Sequence, residues 1–96
     1  MYYLYIIFSK SADKYYVGST HELAQRLIKH NEHNYQNAFS KIATDWEYSL
    51  SFQCDTKIQA HFLERFIKRM KSKKFIEKIC ANPQILQSIL DNQFSP

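Results

Sequence analysis

Two tyrosine-rich segments at the start of the chain constrain its fold more than any other feature of the sequence. Tyr2 to Phe8 is dense in aromatic and β-branched residues, and Tyr15 to Ser19 has the same character. The polar residues from Ser9 to Lys14 separate them. Two such segments joined by a short polar connection are typical of paired strands. The chain is therefore predicted to begin with an antiparallel β-hairpin.

The register of this hairpin decides whether two of its tyrosines meet. If the polar connection closes symmetrically, Phe8 pairs with Tyr15 and Ile7 pairs with Tyr16. Tyr16 then shares a sheet face with Tyr5, at a diagonal distance of about 7–8 Å between backbone positions. A slip of one residue would put these tyrosines on opposite faces, so the register is a prediction in its own right.

The end of the second strand carries the only glycine of the chain, Gly18. A glycine here permits a close approach to the backbone or an unusual backbone angle. The other interpretation is a simple bend from strand to helix, and both stay open. The next residues, Ser19-x-x-Glu22, have the form of a capping box and predict a helix. Its spacing puts Arg26 and His30 one turn apart on one face. Three apolar residues are predicted to face the core: Leu23, Leu27 and Ile28.

A third strand and a long helix follow. From Trp46 to Gln53, apolar and polar residues alternate, which predicts a strand with one buried face made of Trp46, Tyr48, Leu50 and Phe52. Thr56-x-x-Gln59 then predicts the start of the longest helix, with Glu64 roughly opposite its apolar stripe. That stripe consists of Ile58, Phe62, Leu63, Phe66, Ile67 and Met70.

Two further helices complete the predicted fold. Ser72 is a candidate N-cap for a short helix, and Asn82-Pro83 is a strong start signal for a helix over about residues 82–91. The inward residues of these helices are Phe75, Ile76, Ile79, Ile85, Leu86, Ile89 and Leu90. The order β-β-α-β-α-α-α predicts an α+β fold, a small three-stranded antiparallel sheet flanked by helices. We expect one domain over residues 1–96.

Composition excludes several classes of protein. Hydrophobic residues make up 45% of the 96 residues and aromatic residues 16%, which excludes a disordered chain. The longest apolar run is too short to cross a bilayer, and the chain lacks the basic leader of a signal peptide. Cys54 and Cys80 form neither a CxxC motif nor a secreted disulfide framework. We therefore expect a cytoplasmic protein without a membrane partner.

The positive charge is concentrated in one segment. The formal net charge is +4, yet residues 64–78 alone contain seven basic and two acidic residues. This asymmetry favours a polyanionic partner, although charged helix faces also serve simply as solvated surface. Five lysines suit phosphate contacts that do not depend on base sequence. They are Lys68, Lys71, Lys73, Lys74 and Lys78.

Taken one by one, the polar candidates have ordinary explanations. Tyrosines pack well on sheets, Arg26 and His30 can form a solvated helix face, and Glu64 can pair with Lys68 one turn later. His30 and His33 have a spacing compatible with zinc, but no cysteine or acidic cluster completes that site. The order of the residues along the chain is more informative than any one of them.

Tyr3-Leu4-Tyr5 and Tyr16-Val17-Gly18-Ser19-Thr20 precede Arg26, His30 and Glu64 along the chain. This constellation resembles the GIY-YIG nuclease domain, most closely the small stand-alone members related to the nuclease domain of the excision-repair excinuclease. The resemblance covers about residues 2–80 and includes Asp45-Trp46 and Glu64-x-x-Ile67-Lys68. The chain departs from the family at two positions. Tyr3 stands where the family has its first glycine. Many members also have an asparagine after the glutamate helix, near the position of Ile76 in this chain. Candidate replacements for it are Lys73, Lys74 and Asn82.

The resemblance implies a metal-dependent DNA endonuclease, directed by DNA structure and acting in repair or recombination. It makes Glu64 the single protein ligand of Mg²⁺ or Mn²⁺ and makes Arg26 the clamp on the scissile phosphate. Tyr5 would orient or deprotonate the attacking water with help from His30, and Tyr16 would hold the phosphate or the water. Because a free tyrosine titrates near pH 10, a base role requires cationic neighbours such as Arg26 and the metal.

Two other functions remain open from the sequence. One is a nucleic-acid-binding module whose nuclease site has decayed, which would bind DNA in a salt-sensitive way without cleaving it. The other is a protein-interaction domain that associates, as a weak homo-oligomer for instance, through its C-terminal helix and Phe94. The presence of all five of Tyr5, Tyr16, Arg26, His30 and Glu64 favours an active nuclease over the decayed module.

Overall fold

A computed structural model describes residues 1–32 and 42–94. Its elements are β1 (Tyr2–Ser9), β2 (Lys14–Thr20), α1 (Leu23–Asn31), β3 (Trp46–Cys54), α2 (Lys57–Met70), α3 (Lys73–Ala81) and α4 (Gln84–Phe94). The three strands form one antiparallel sheet in the order β2-β1-β3. The predicted α+β class and element order are confirmed. Most of the segment between α1 and β3, residues 33–41, lies outside the described residues.

The hairpin register is confirmed. Phe8 pairs with Tyr15, Ile7 pairs with Tyr16, and Tyr5 pairs with Gly18. Because paired residues of neighbouring strands point to the same side, Tyr5 and Tyr16 share one face of the sheet. The strand β2 lies at the edge of the sheet, so Tyr16 is on an outer strand and Tyr5 is on the central one.

The third strand does not have the single buried face that its alternation predicts. A register shift separates Ile6, which pairs with Leu50, from Ile7, which pairs with Tyr48. Such a β-bulge inserts one extra residue into β3, so the side chains before and after it alternate out of phase and point to opposite faces of the sheet. Leu50 therefore packs in the same cluster as Ile6, whereas Trp46 packs with Ile7 on the other side. A bulge depends on the partner strand, so alternation within β3 alone cannot reveal it.

The sheet has a cluster of buried residues on each face. On one face, α1 supplies Leu23 and Leu27 to the cluster around Trp46. On the other face, α2 supplies Ala60, Leu63 and Ile67, and α4 supplies Leu86 and Leu90. Three predicted core residues are wrong, because their side chains are largely exposed; they are Ile28 (48%), Ile58 (70%) and Met70 (48%). Ile58 and Met70 lie in the first and last turns of α2, and none of the three packs against either cluster of buried residues.

Side-chain caps fix the later helices where the sequence predicts them. Thr56 accepts a hydrogen bond from the backbone nitrogen of Gln59 at 3.2 Å. Ser72 accepts one from the backbone nitrogen of Phe75 at 3.1 Å. Each cap satisfies a donor that the first turn of a helix leaves unpaired. In the described part of the chain, no helix is both long and apolar enough to cross a bilayer.

The start of β3 is attached to the β1–β2 connection through Asp45. Its carboxylate accepts hydrogen bonds from the hydroxyls of Ser9 at 2.6 Å and Ser11 at 2.9 Å. It also accepts one from the backbone nitrogen of Ser11 at 3.0 Å. These donors lower the pKa of Asp45 to about 2. The contact orients the hairpin that carries Tyr5 and Tyr16.

Candidate active site

A pocket of about 470 Å³ lies at the β2 edge of the sheet, and residues from helices on both sides of the sheet line it. Four of the five predicted catalytic residues line it: Tyr5, Tyr16, Arg26 and Glu64. They come from β1, β2, α1 and α2, so the fold brings together residues that are up to 59 positions apart in the sequence. The remaining lining residues are Tyr2, Gly18, Ser19, Thr20, His21, Lys57 and His61.

The fifth predicted residue, His30, lies behind Tyr5 and is not among the residues lining this pocket. Its Nε2 is 2.8 Å from the Tyr5 hydroxyl, and both side chains are 1% exposed. The His30 ring also packs on Tyr16, with 4.8 Å between ring centroids. His30 can therefore act on a bound substrate only through the tyrosines in front of it.

The protonation state of His30 follows from its surroundings. Burial lowers its pKa to about 4, and the positive charge of Arg26 one turn earlier contributes to the shift. Neutral imidazole is therefore the form present near pH 7. In the tautomer that leaves Nε2 unprotonated, this nitrogen accepts the hydroxyl proton of Tyr5. The pair thus has a path for a proton that leads away from the pocket.

Burial of neutral His30 makes stability depend on pH. The imidazole titrates near pH 6.5 in the unfolded chain and near pH 4 in the folded protein, so the unfolded state binds its proton first. Stability is therefore greatest above pH 6.5 and is lost as the pH falls toward 4. We expect the free energy of unfolding, measured with urea, to drop by roughly 2 kcal/mol between pH 7 and 4.5.

Two variants isolate the contribution of His30 to this drop. His30→Gln should remove most of it, whatever its own stability, because only the difference between the two pH values counts. His61→Gln, which replaces an exposed histidine, should retain it. An equal drop in His30→Gln and in the unmodified protein would show that another group is responsible.

Gly18 is explained by space rather than by backbone conformation, since no glycine has a positive φ. A Cβ built on Gly18 would lie 2.5 Å from Tyr5 Oη and 2.6 Å from Tyr5 Cζ. Those distances are far inside van der Waals contact, so a side chain here would displace the ring. Of the two interpretations of Gly18, the structure supports the close approach. The bend is wrong, because Gly18 pairs with Tyr5 inside β2.

Ser19 does not cap α1, so the predicted capping box is wrong. Ser19 lies within β2, and its hydroxyl donates a hydrogen bond of 2.7 Å to Glu64 Oε1. The N-cap of α1 is Glu22, which makes no side-chain cap hydrogen bond, while Thr20 Oγ1 accepts from the Glu22 backbone nitrogen at 3.1 Å. Ser19 thus orients a carboxylate 45 positions away in the sequence.

The other oxygen of Glu64 contacts Lys68. Lys68 Nζ is 2.7 Å from Glu64 Oε2 and 5.4 Å from the centroid of the Tyr16 ring. The lysine therefore links the α2 carboxylate to the β2 tyrosine across the edge of the sheet. As a partly exposed i,i+4 pair, it contributes at most about 0.5 kcal/mol to stability.

The donor set around Glu64 fits a hard divalent cation. Glu64 supplies one carboxylate, Ser19 contacts it through its hydroxyl, Tyr16 lines the same pocket with a further hydroxyl oxygen, and the pocket has room for water. Mg²⁺ prefers oxygen ligands and keeps several of its waters, so one carboxylate suffices. Within residues 1–32 and 42–94, no group of three or more His, Cys, Asp or Glu side chains forms a denser site. His33, whose spacing from His30 is compatible with zinc, lies outside the described residues.

The five lysines that were predicted to contact phosphate divide into two groups. Lys68, Lys71 and Lys73 line a groove of about 710 Å³ that shares Tyr16 with the pocket, and Lys73 pairs with Asp13 at 3.1 Å. Lys74 and Lys78 are exposed on α3 and are not among the residues of that groove. The candidates for the family's downstream asparagine are not brought to the pocket either. They are Lys73, Lys74 and Asn82, which ends α3 as its C-cap.

Sequence reasoning missed residues that support the site. The side-chain amide of Asn31 pairs with the backbone of Trp46, accepting from its nitrogen at 2.7 Å and donating to its oxygen at 3.1 Å. This contact holds the end of α1, and hence His30, against β3. The Tyr48 ring packs edge-on against Tyr5, and its hydroxyl donates to the Leu23 carbonyl. Asn31 had no signal beyond a polar residue at a helix end.

Comparison with known proteins agrees with this geometry. The family model described as the GIY-YIG catalytic domain matches residues 1–78, which is most of the chain. No curated protein and no solved structure gives a significant match. The matched range includes every residue of the pocket, with both tyrosine motifs on paired strands. The chain belongs to the GIY-YIG catalytic domain family and has its nuclease-type fold.

Proposed function

We propose that this protein is a metal-dependent endonuclease that hydrolyses phosphodiester bonds in DNA. The observation that carries the proposal is the meeting of Tyr5, Tyr16, Arg26 and Glu64 in one pocket, each from a different element. A site that had lost its function would have no reason to keep the supports of these residues. Ser19 orients Glu64, and Gly18 leaves room for the Tyr5 ring.

Each residue has a role that its position allows. The Arg26 guanidinium can hold two oxygens of the scissile phosphate. The Tyr5 hydroxyl, paired with His30 at 2.8 Å, can accept a proton from the attacking water while its own proton moves to Nε2. Tyr16 positions the phosphate or the water. A Mg²⁺ or Mn²⁺ ion held by Glu64 would neutralise charge on the phosphate and on the leaving oxygen.

We further propose that DNA structure, rather than base sequence, directs this activity, in repair or recombination within the cytoplasm. Lys68, Lys71 and Lys73 lie in a groove that leads to the pocket at Tyr16, and lysine contacts phosphate without reading bases. Among the described residues, the seven elements form one sheet with its helices, and they include no separate module of a kind that reads base edges. Contacts to phosphates distinguish DNA substrates by the shape of their sugar-phosphate backbone rather than by their base sequence.

A cleavage panel tests the proposal. The full chain is incubated with labelled single-stranded, nicked, flapped and branched DNA in Mg²⁺ or Mn²⁺, with chelator as the control. We expect metal-dependent cleavage of at least one branched or partly single-stranded substrate. Salt-sensitive binding of every substrate with cleavage of none, under either metal, would instead support the decayed binding module.

A further inference from the structure

A second groove lies along α2, and its basic residues are not among the five lysines that were predicted to contact phosphate. It has a volume of about 730 Å³, and Lys57, His61, Arg65 and Arg69 line it. These four residues are exposed and recur every fourth position, so they form one stripe along the helix. None of the lining residues from the described ranges is acidic. The groove therefore presents one sign of charge over about 18 Å.

Aromatic rings lie beside this stripe. Phe62, Phe66 and Phe94 line the same groove, and the centroid of the Phe62 ring is 6.0 Å from that of Phe66 and 5.5 Å from that of Phe94. Phe94 is 41% exposed and Ile58 is 70% exposed. Exposing apolar rings to solvent is unfavourable. Rings beside a row of basic residues match a ligand that has both flat apolar faces and negative charges.

The groove is continuous with the active-site pocket. Lys57 and His61 line both of them. A strand that enters the pocket can therefore continue along α2 without leaving the protein surface. Four residues of an α-helix rise about 6 Å, which is comparable to the distance between successive phosphates of an extended strand. The charge spacing thus matches a polynucleotide backbone running parallel to the helix.

We infer that this groove, hereafter the α2 groove, binds an unpaired strand of the DNA substrate as it leaves the active site. Lys57, Arg65 and Arg69 contact its phosphates, with His61 as a further polar contact, and its bases stack on the phenylalanine rings, as the bases of bound strands do in single-strand-binding proteins. In a duplex the base faces are already stacked within the helix, so the rings have no partner there. The inference rests on the proposed function and specifies its substrate class, namely DNA with a single-stranded branch.

Binding measured without cleavage tests the α2 groove separately from catalysis. Fluorescence anisotropy with labelled oligothymidine, and with its duplex with oligoadenine, is recorded in chelator over a range of salt. Arg65→Gln/Arg69→Gln should weaken binding of oligothymidine about tenfold or more and lower the salt slope by about 1.4. Lys10→Gln/Lys29→Gln, a matched change at two exposed lysines outside the α2 groove, should change binding less than twofold.

Stacking is tested by Phe94→Ala near the exposed C-terminal end of α4, where little of the core depends on the ring. It should weaken oligothymidine binding about fivefold and leave duplex binding unchanged. Binding of oligothymidine by Arg65→Gln/Arg69→Gln within twofold of the unmodified protein would overturn the inference. So would a dimer that Phe94→Ala dissociates, since a second copy would then occupy the α2 groove. Cleavage that persists in these variants leaves the proposed function intact.

Discussion

Replacing Glu64 with glutamine is expected to reduce the cleavage rate by about a thousandfold or more while leaving the fold and DNA binding intact. The glutamine oxygen can still accept the hydrogen bond from Ser19, and the lost pair with Lys68 is worth at most about 0.5 kcal/mol. What disappears is the carboxylate that can hold a divalent cation in the pocket. Stabilisation by such a cation amounts to several kcal/mol, and about 4 kcal/mol corresponds to a thousandfold in rate.

The experiment combines three measurements on Glu64→Gln: single-turnover cleavage, DNA binding and thermal unfolding. Glu77→Gln is the matched control, because Glu77 is an exposed carboxylate on the neighbouring α3 and does not line the pocket. It should cleave at the normal rate. Isothermal titration with Mn²⁺ adds a readout that does not involve cleavage, and Glu64→Gln should bind Mn²⁺ much more weakly. Full cleavage by Glu64→Gln would exclude the proposed mechanism.

The hairpin could be predicted from the sequence because its information is local. The length of the connection after Phe8 and the alternation on both sides of it determine the register, and Ile7 pairs with Tyr16 as expected. The bulge of β3 could not be predicted in the same way. It arises between Leu50 and Tyr48 from pairing with β1, a strand about 40 positions earlier. Long-range pairing can override a local alternation without leaving a mark in it.

Ser19 shows the same limit within the site. Ser19-x-x-Glu22 satisfies a local pattern for a capping box, but a partner 45 positions away takes the serine hydroxyl. The pattern identifies a residue that can donate or accept a hydrogen bond, and tertiary structure selects the partner. Tyr5, Tyr16, Arg26 and Glu64 were predicted to form one site because their order along the chain matches a family. Neither periodicity nor charge identified them.

The α2 groove illustrates a signal that was present and not recognised. The net charge of residues 64–78 is due mainly to lysines, whereas the stripe begins at Lys57 and ends at Arg69. The net charge of a sequence segment adds together residues from different faces of one helix. Comparing residues four positions apart separates the faces, because such residues lie on the same side of the helix. On that basis, α2 presents Glu64 and Lys68 toward the β2 edge and Arg65 toward the α2 groove. One helix thus supplies both the proposed metal ligand and the proposed strand-binding surface.

Replacing Gly18 with alanine is expected to destabilise this protein and to abolish cleavage, because the added methyl group meets the Tyr5 ring. The new Cβ would overlap Tyr5 at 2.5–2.9 Å, and the ring has little room to move. It is 1% exposed, bonded to His30 at 2.8 Å and packed against Tyr48 with 5.8 Å between ring centroids. We expect a loss of roughly 1–3 kcal/mol in the free energy of unfolding, and loss of cleavage because the Tyr5 hydroxyl leaves its position.

A double-mutant cycle separates this clash from any general weakness of β2. In a Tyr5→Leu background the atoms nearest to the new methyl group are absent, so adding Gly18→Ala should then cost less than about 0.5 kcal/mol. In the unmodified background, thermal unfolding should shift downward by about 4–8 °C for each kcal/mol lost. An equal cost in both backgrounds would place the effect in the β2 backbone. A smaller cost in the Tyr5→Leu background would instead establish that Gly18 is required because the Tyr5 ring occupies its side-chain space.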